Sequence, residues 1–289
     1  MDIKKIVVCG AGTMGGGIAQ VCANAGYDVW MYDIKTEFAE GGKSRIAAGL
    51  VKQVAKGKMT EEDKDALLSR LHPTVDISCA RDADLILEAV LEIADVKKAL
   101  FAELEKICPE NTVIGTNTSY IPITKLAADM KRPERFLGLH FFNPVYAMKL
   151  VEVIRGEKTS DEAFETAMAF APTIGKTPVA LKKEIPGFIV NRINKAVQVE
   201  AMNLLHQGVA SVEDIDTAIK LGLNYPKGPF EMMDGNLELT YTCLNELVEL
   251  TGDAKYRPIP ELEELIKEGN FGRRTGKGWY EYTETGEKK

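Results

Sequence analysis

The chain is poor in the residues that build metal sites and disulfide scaffolds. It has three histidines in 289 residues, and its five cysteines are Cys9, Cys22, Cys79, Cys108 and Cys243. They are odd in number, widely spaced and without a Cys-x-x-Cys, which argues against a disulfide framework or a zinc site and suits free thiols in a reducing compartment. No metal is expected. There is no run of eighteen apolar residues, so no segment is expected to span a membrane. Excess positive charge is missing too: a formal charge of −7 and a pI near 5.3 argue against a general binder of nucleic acid or anionic membranes. Internal repeats are absent, and low complexity is confined to a short polar tail after Tyr282. The first strand pattern begins almost at once, leaving no room for a signal or transit peptide, so cytoplasm is the expected location.

What is present is enough apolar material for a proper core, 45% of residues, with 27% charged. That length suits one large domain or two of ordinary size. The most informative stretch is the beginning. An apolar run, Ile6–Cys9, leads without a gap into Gly10-x-Gly12-x-x-Gly15. A helical pattern follows, with Ile18, Val21, Cys22 and Ala25 on one face, and Gly26 ends it. Asp28–Tyr32 reads as a second strand, with Asp33 at its end. This is the βαβ dinucleotide-binding layout. Gly10 permits the tight turn, Gly12 lets a pyrophosphate approach the backbone, and Gly15 lets the helix pack on the sheet. The helix N-terminus, at Thr13 and Met14, supplies N–H donors and partial positive charge. Asp33 can accept from both ribose hydroxyls and would repel a 2′-phosphate, which favours NAD over NADP; a solvated strand-end acid is the plain alternative. No arginine follows at once, although Lys35 does.

The remainder alternates strands and helices as far as residue 185. Thr36–Arg70 reads as a long helical region with Thr60 as an internal cap. Its lysines, among them Lys52 and Lys56, ordinarily mean a solvated face, and otherwise a site for a phosphate-bearing ligand. Strands are expected at His72–Val75, Leu85–Leu87, Thr112–Gly115, Phe136–His140, Leu150–Ile154 and Thr177–Leu181. Helices are expected at Val96–Ile107, Ile123–Met130 and Ser160–Ile174. After Ile185-Pro186-Gly187 only helices follow: Phe188–Gln207, one opened by Ser211, Leu237–Leu250 and Pro260–Gly269. The expected architecture is α/β, a Rossmann-type dinucleotide-binding domain over 1–185 followed by an all-α C-terminal domain over 186–289.

The three histidines divide clearly. His206 closes a helix, where the C-terminal dipole explains it. His72 precedes Pro73 in an ordinary connection. His140 ends an apolar strand beside Asn143, and Glu152 sits among valines on the next strand. A carboxylate there needs a partner, and a His–Glu pair would supply one while making the imidazole a better base. A purely structural His–Glu bond is the alternative.

At this point the chain resembles the L-3-hydroxyacyl-CoA dehydrogenases, and within them the single-function bacterial 3-hydroxybutyryl-CoA dehydrogenases. The resemblance runs from Ile3 to about Tyr282. It is carried by Gly10-Ala11-Gly12-Thr13-Met14-Gly15, Asn117-Thr118-Ser119, His140-Phe141-Phe142-Asn143-Pro144, Met148–Ile154, Pro186-Gly187-Phe188-Ile189-Val190-Asn191-Arg192 and Gly276-Lys277-Gly278-Trp279-Tyr280. The resemblance implies hydride transfer between NAD and C3 of an acyl-CoA, in butyrate or fatty-acid metabolism. His140 would be general acid/base and Glu152 its orienting partner. Ser119 and Asn191 would hold substrate oxygens, and Asn143 would stand beside the histidine and the cofactor. Glu92 and Lys97 match positions near the nicotinamide ribose; Asn117, Ser119 and Arg274 join the cofactor set. Lys52 and Lys56 match the helical hairpin that meets CoA phosphates. A site at the domain boundary, closing over its ligands, and a homodimer through the helical domain are implied as well.

Three departures stand out: Tyr120 where a second serine is usual, Asn236-Leu237-Glu238 where Gly-Leu-Asp is usual, and Arg274 where lysine is frequent. The alternatives are a longer or carboxylated 3-hydroxyacyl-CoA, a free hydroxy acid, or a non-enzymatic nucleotide-sensing protein. Intact His140, Glu152, Ser119 and Asn191 argue against the last.

Overall fold

The structure is a computed structural model that describes residues 3–289. The chain divides into two units, Met1–Ile185 and Pro186–Lys289. In chain order the first contains β1 (Lys5–Cys9), α1 (Thr13–Asn24), β2 (Asp28–Tyr32), α2 (Thr36–Ala55), α3 (Glu61–Ser69), β3 (Leu71–Thr74) and β4 (Leu85–Glu88). It continues with α4 (Ala94–Ile107), β5 (Val113–Thr116), α5 (Ile123–Ala127), β6 (Phe136–Phe141), β7 (Leu150–Arg155), α6 (Asp161–Thr173) and β8 (Thr177–Leu181). The strands form one eight-stranded sheet in the order β3-β2-β1-β4-β5-β6-β7-β8. From β3 to β6 all pairs are parallel, and the order reverses between β1 and β4, the switch point at which such sheets bind ligands.

The central strands read as continuous apolar runs because both faces are covered by helices. Ile6, Val8, Val29, Met31, Leu85 and Leu87 are almost wholly buried and join Ile18, Cys22, Ile46 and Leu50 from α1 and α2 in one core. The helical region after Asp33 is a hairpin of α2 and α3, and Thr60 caps α3 by accepting from Asp63 N at 3.0 Å.

One feature departs from simple alternation. No helix separates β6 from β7, so these two strands pair antiparallel, and His140 falls directly opposite Glu152. β8 then pairs parallel to β7.

The second unit holds α7 (Val190–His206), α8 (Val212–Leu223), α9 (Pro229–Met233), α10 (Leu237–Thr251) and α11 (Pro260–Lys267). α7 begins later than the periodicity suggests, because Gly187 and Phe188 both have positive φ and cannot continue a helix. The short α9 was not visible in the pattern; Pro229 at its first turn and Asp216, which accepts from Phe230 N at 2.8 Å and Glu231 N at 2.9 Å, start it. The C-terminal tail is tied down by the buried Asp234, which accepts from Trp279 N and Tyr280 N at 2.9 Å and from the Tyr282 hydroxyl at 2.8 Å. Isolated β-bridges, such as Gly272 with Lys277, occur in that tail, beyond the last expected helix and where no strand was expected.

Candidate active site

The carboxyl ends of β1, β4, β5 and β6 gather most of the residues singled out in the sequence. At the end of β1, Gly10 has φ +95°, and a Cβ on Gly15 would lie 1.7 Å from the Gly10 carbonyl oxygen. Only glycine permits that approach of α1 to the strand. A Cβ on Gly12 would meet nothing within 4 Å, so the space over the first turn of α1 is open. Helix geometry leaves the N–H groups of this turn, at Thr13, Met14 and Gly15, directed at that space.

Asp33 closes the loop from the side: its Oδ2 accepts from Ala11 N at 2.8 Å and its Oδ1 from Ile34 N at 2.8 Å. Each oxygen retains a lone pair for a ribose hydroxyl. Beside it, Ile34, Lys35, Thr36, Glu37, Phe38 and Val75 line a cavity of about 610 Å³. The Lys35 amine lies over the Phe38 ring, 5.6 Å from its centroid. These residues fit a dinucleotide: donors for the phosphates, an anion for the ribose, and an open recess of mixed polar and apolar lining beside it.

The second half of the site is a hydrogen-bonded chain. His140 Nδ1 and Glu152 Oε2 are 2.7 Å apart, and the side chains are 4% and 0% exposed. Glu152 therefore fixes the tautomer: its Oε2 accepts a hydrogen bond from Nδ1–H, which leaves Nε2 as the free acceptor on the outward side. Ser119 Oγ stands 3.1 Å from Nε2. The Phe142 ring packs edge-on against the imidazole, centroids 4.6 Å apart. Asn117 ties the turn that carries Ser119 to the end of β6, its Oδ1 accepting from Phe141 N at 2.8 Å. Asn143 is exposed just beyond β6, in a cis peptide bond to Pro144. The loop that follows is held by Lys176, whose buried amine donates to the carbonyls of Val145 and Met148. Burial, reinforced by the Lys149 charge, lowers the affinity of that amine for its proton.

Glu92 and Lys97 join the same chain. Burial would raise the Glu92 carboxyl, but the Lys97 charge and the donors of Thr118 and Ser119 outweigh it and hold it below the ordinary carboxylate range. The resemblance puts Lys97 near the nicotinamide ribose. Its side chain is 1% exposed and faces Glu88 at 2.5 Å and Glu92 at 3.2 Å, so its charge reaches the surface of the site through Glu92. Glu88 was missed in the sequence, and Thr116 and Thr118, polar residues at the end of their strand, were given no role of their own. The available signal was an acid closing the apolar strand Leu85-Ile86-Leu87-Glu88, the same argument that singled out Glu152.

Other candidates stand on other elements. Lys52 is exposed in the last turn of α2, and Lys56 caps that helix. Asn191 lies partly exposed in the first turn of α7. Arg274 is exposed and donates to Glu238 Oε2 at 2.6 Å, within the second unit. Tyr120 is buried, and its N–H faces Glu92 Oε1 at 3.4 Å. His206 is paired with Glu261 at 2.9 Å, and His72 stacks on Trp30 and faces Asp28 at 3.1 Å, so both are held by structural partners. Among the described residues no group of three His, Cys, Asp or Glu side chains is placed to hold a metal ion, and no helix is long and apolar enough to cross a membrane.

A family model described as 3-hydroxyacyl-CoA dehydrogenase, NAD binding domain, matches residues 5–185. A second, described as 3-hydroxyacyl-CoA dehydrogenase, C-terminal domain, matches residues 187–282. The chain is 42% identical over 285 residues to a probable 3-hydroxybutyryl-CoA dehydrogenase of Bacillus subtilis (strain 168), covering 98% of this chain and 99% of that protein. It is 40% identical over 287 residues to the 3-hydroxyadipyl-CoA dehydrogenase of Escherichia coli (strain K12), covering 98% of this chain and 60% of that one. The crystal structure of (S)-3-hydroxybutyryl-CoA dehydrogenase from Ralstonia eutropha superimposes with a TM-score of 0.94 at 40% identity, covering 98% of this chain and 100% of that chain.

Proposed function

The chain belongs to the 3-hydroxyacyl-CoA dehydrogenase family, NAD-dependent oxidoreductases acting on a CH–OH group, and on that premise we propose that it interconverts (S)-3-hydroxybutyryl-CoA and acetoacetyl-CoA with His140 and Glu152 as its acid–base pair. The observation that carries this reading is the buried His140–Glu152 contact at 2.7 Å with Ser119 Oγ 3.1 Å from the opposite ring nitrogen. NAD, when bound, supplies the hydride acceptor or donor. The protein handles the proton. In the oxidative direction His140 Nε2 takes the proton of the C3 hydroxyl, and Glu152 stabilises the imidazolium that forms. Ser119 Oγ marks the place at which a substrate oxygen meets Nε2. In reduction the same nitrogen returns the proton to the C3 oxygen.

The remaining assignments belong to the same reading. Thr13, Met14 and Gly15 receive the pyrophosphate, Asp33 the adenosine ribose, and Glu92, Asn117 and Asn143 the nicotinamide side. Lys52 and Lys56 attract the CoA phosphates, and Asn191 holds a substrate oxygen. We place the activity in the cytoplasm, in butyrate or fatty-acid metabolism. The protein is a homodimer through its helical unit, where Val209, Leu221, Leu223 and Leu239 expose apolar side chains that a monomer would leave in water. Sedimentation should give twice the chain mass; a monomer at working concentration removes that part.

The test of the activity is the loss of NADH absorbance with acetoacetyl-CoA, run in parallel with NADPH. Oxidation of NADH is expected, abolished about 10²- to 10⁴-fold by His140→Ala while NADH binding survives. Unchanged turnover in that variant ends the acid–base assignment. A carboxylated acyl chain is the second reading, favoured by the similarity to the 3-hydroxyadipyl-CoA dehydrogenase, which is nearly as great. Relative kcat/KM for the two CoA esters decides between them.

A further inference from the structure

The turn that presents Ser119 to His140 has no helix or strand of its own. It leaves β5 at Thr116 and enters α5 only at Ile123. A hydroxyl held within hydrogen-bond distance of one ring nitrogen needs that turn fixed from behind. A single carboxylate oxygen does much of this: Glu92 Oε1 accepts from Thr118 Oγ1 at 2.5 Å, from Ser119 N at 2.8 Å and from Tyr120 N at 3.4 Å. The Thr118 hydroxyl also accepts from Ile121 N at 3.1 Å, closing the turn on itself.

The carboxylate is in turn held from below. Its other oxygen faces Lys97 at 3.2 Å, and Lys97 is fixed by Glu88 Oε1 at 2.5 Å. Glu88 Oε1 also takes Val90 N at 2.7 Å, and Oε2 takes Thr116 Oγ1 at 2.5 Å, so it binds the ends of β4 and β5 and the face of α4 together. Glu88, Thr116 and Thr118 are each 0% exposed. None of the three presents a surface to cofactor or substrate, yet their bonds lead through Lys97 and Glu92 to the N–H of Ser119, the residue that meets His140.

We propose that Thr118 is a positioning residue for the dehydrogenase reaction, acting through Glu92 to fix the Ser119–His140 contact, with Glu88 and Lys97 anchoring Glu92. The proposal rests on the assignment of Ser119 and His140 to the chemistry. The hydroxyl of Thr118 gives the turn a charge-assisted bond that its methyl cannot replace. The methyl contributes packing only. The two functions can therefore be separated by substitution.

Thr118→Val keeps the shape and loses the hydroxyl; Thr118→Ser keeps the hydroxyl and loses the methyl. Melting temperature, kcat, KM for acetoacetyl-CoA and Kd for NADH by fluorescence titration are measured for both. Thr118→Val is expected to lower kcat about tenfold, the worth of one charge-assisted hydrogen bond, with KM and Kd within about twofold of the parent. Thr118→Ser is expected to melt earlier and yet keep its kcat. Activity that follows melting temperature rather than the hydroxyl overturns the proposal, as does a Thr118→Val enzyme with parental kcat while Ser119→Ala and His140→Ala are crippled. Should Thr118→Val not fold, the serine variant decides: parental kcat supports positioning, and a fall with stability refutes it. If Ser119→Ala and His140→Ala both turn over normally, the underlying chemical assignment fails and the proposal with it, an outcome distinct from failure at Thr118 alone.

Discussion

Glu152→Gln is the most exacting test of the acid–base pair, because it alters charge and almost nothing else. The side chain is wholly buried and stands opposite His140 in the β6–β7 register, so the replacement amide occupies the same volume. Two consequences follow from the 2.7 Å contact at Nδ1. First, the imidazolium formed when Nε2 takes the substrate proton loses its counter-charge. Two unit charges about 4 Å apart at an effective dielectric constant of about 20 attract by about 4 kcal/mol. Second, the glutamine can turn its N–H2 toward Nδ1. The ring proton then moves to Nε2, and the base is blocked where the substrate needs it. Both effects act in the same direction, and neither touches the nucleotide loop.

Glu152→Gln is therefore expected to lower kcat by about 10²- to 10³-fold, less than the full electrostatic figure because water and neighbouring dipoles take part of the load. Kd for NADH should stay within about twofold. The assay is initial-rate NADH oxidation with saturating acetoacetyl-CoA, with melting temperature recorded alongside to separate lost chemistry from lost structure. A folded Glu152→Gln enzyme whose kcat lies within about threefold of the parent would refute the reasoning, because a pair serving only to hold two strands together can exchange a carboxylate for an amide without kinetic effect.

Asp33→Asn keeps an acceptor for Ala11 N and removes the charge, so KM for NADH should rise about tenfold and KM for NADPH should fall; an unchanged preference would show that Asp33 does not read the ribose. Gly15→Ala places a Cβ 1.7 Å from a backbone carbonyl, so the turn and α1 must separate, and NADH titration should show at least a tenfold loss of affinity, about what a misplaced phosphate-binding turn costs. Lys195 gives a pH prediction: burial pushes its amine down to about 8, with Cys243 opposing, and its Nζ donates to the neutral acceptors Gln198 Oε1 at 2.9 Å and Thr240 Oγ1 at 3.4 Å. Because its folded value lies below the unfolded one near 10.4, the unfolded chain binds more protons between about pH 8 and 10, and this group adds stability as pH rises through that window. The increment is about 3 kcal/mol. Buried Cys22 and Tyr280 act in the opposite sense but are shared with Lys195→Met, so the difference between parent and variant urea melts isolates it. The variant's advantage should be greatest at pH 7 and vanish near pH 10; parallel curves would refute it.

How much of this was legible depends on where the physical constraint sits along the chain. The nucleotide loop was legible because its parts are contiguous: strand, glycine turn, helix, strand and acid all fall within residues 6–33, and local geometry alone fixes their relation. The doubly wound sheet was legible for a similar reason, since each buried strand carries its own apolar run. The His140–Glu152 pair was legible in outline because a carboxylate between Val151 and Val153 demands a partner. What the sequence did not show was why that partner is His140 and no other group. The answer is the antiparallel β6–β7 pairing, which a connection of eight residues without a helix permits and which puts residues 140 and 152 face to face.

The hidden part is the Glu88–Lys97–Glu92 chain, and the reason it was hidden is instructive about lysines on helices. Lys97, which the resemblance puts near the nicotinamide ribose, lies on the stripe of α4 that also buries Leu100, Phe101 and Leu104, the three- and four-residue spacing of a core-facing side. A cation at such a position is costly unless an anion lies against it. The anion had to come from the neighbouring strand end, where Leu85-Ile86-Leu87 closes on Glu88 and the chain returns after a few residues as α4. Two charged residues in apolar company, nine apart and separated by one β–α turn, therefore predict each other, even though neither is remarkable alone. Once they are paired, the second carboxylate at Glu92 is drawn to the same amine, and its remaining oxygen becomes the one point to which the donors of the Thr118–Tyr120 turn converge. The carboxylate that holds Ser119 N is thus the same one that helps to neutralise the buried Lys97.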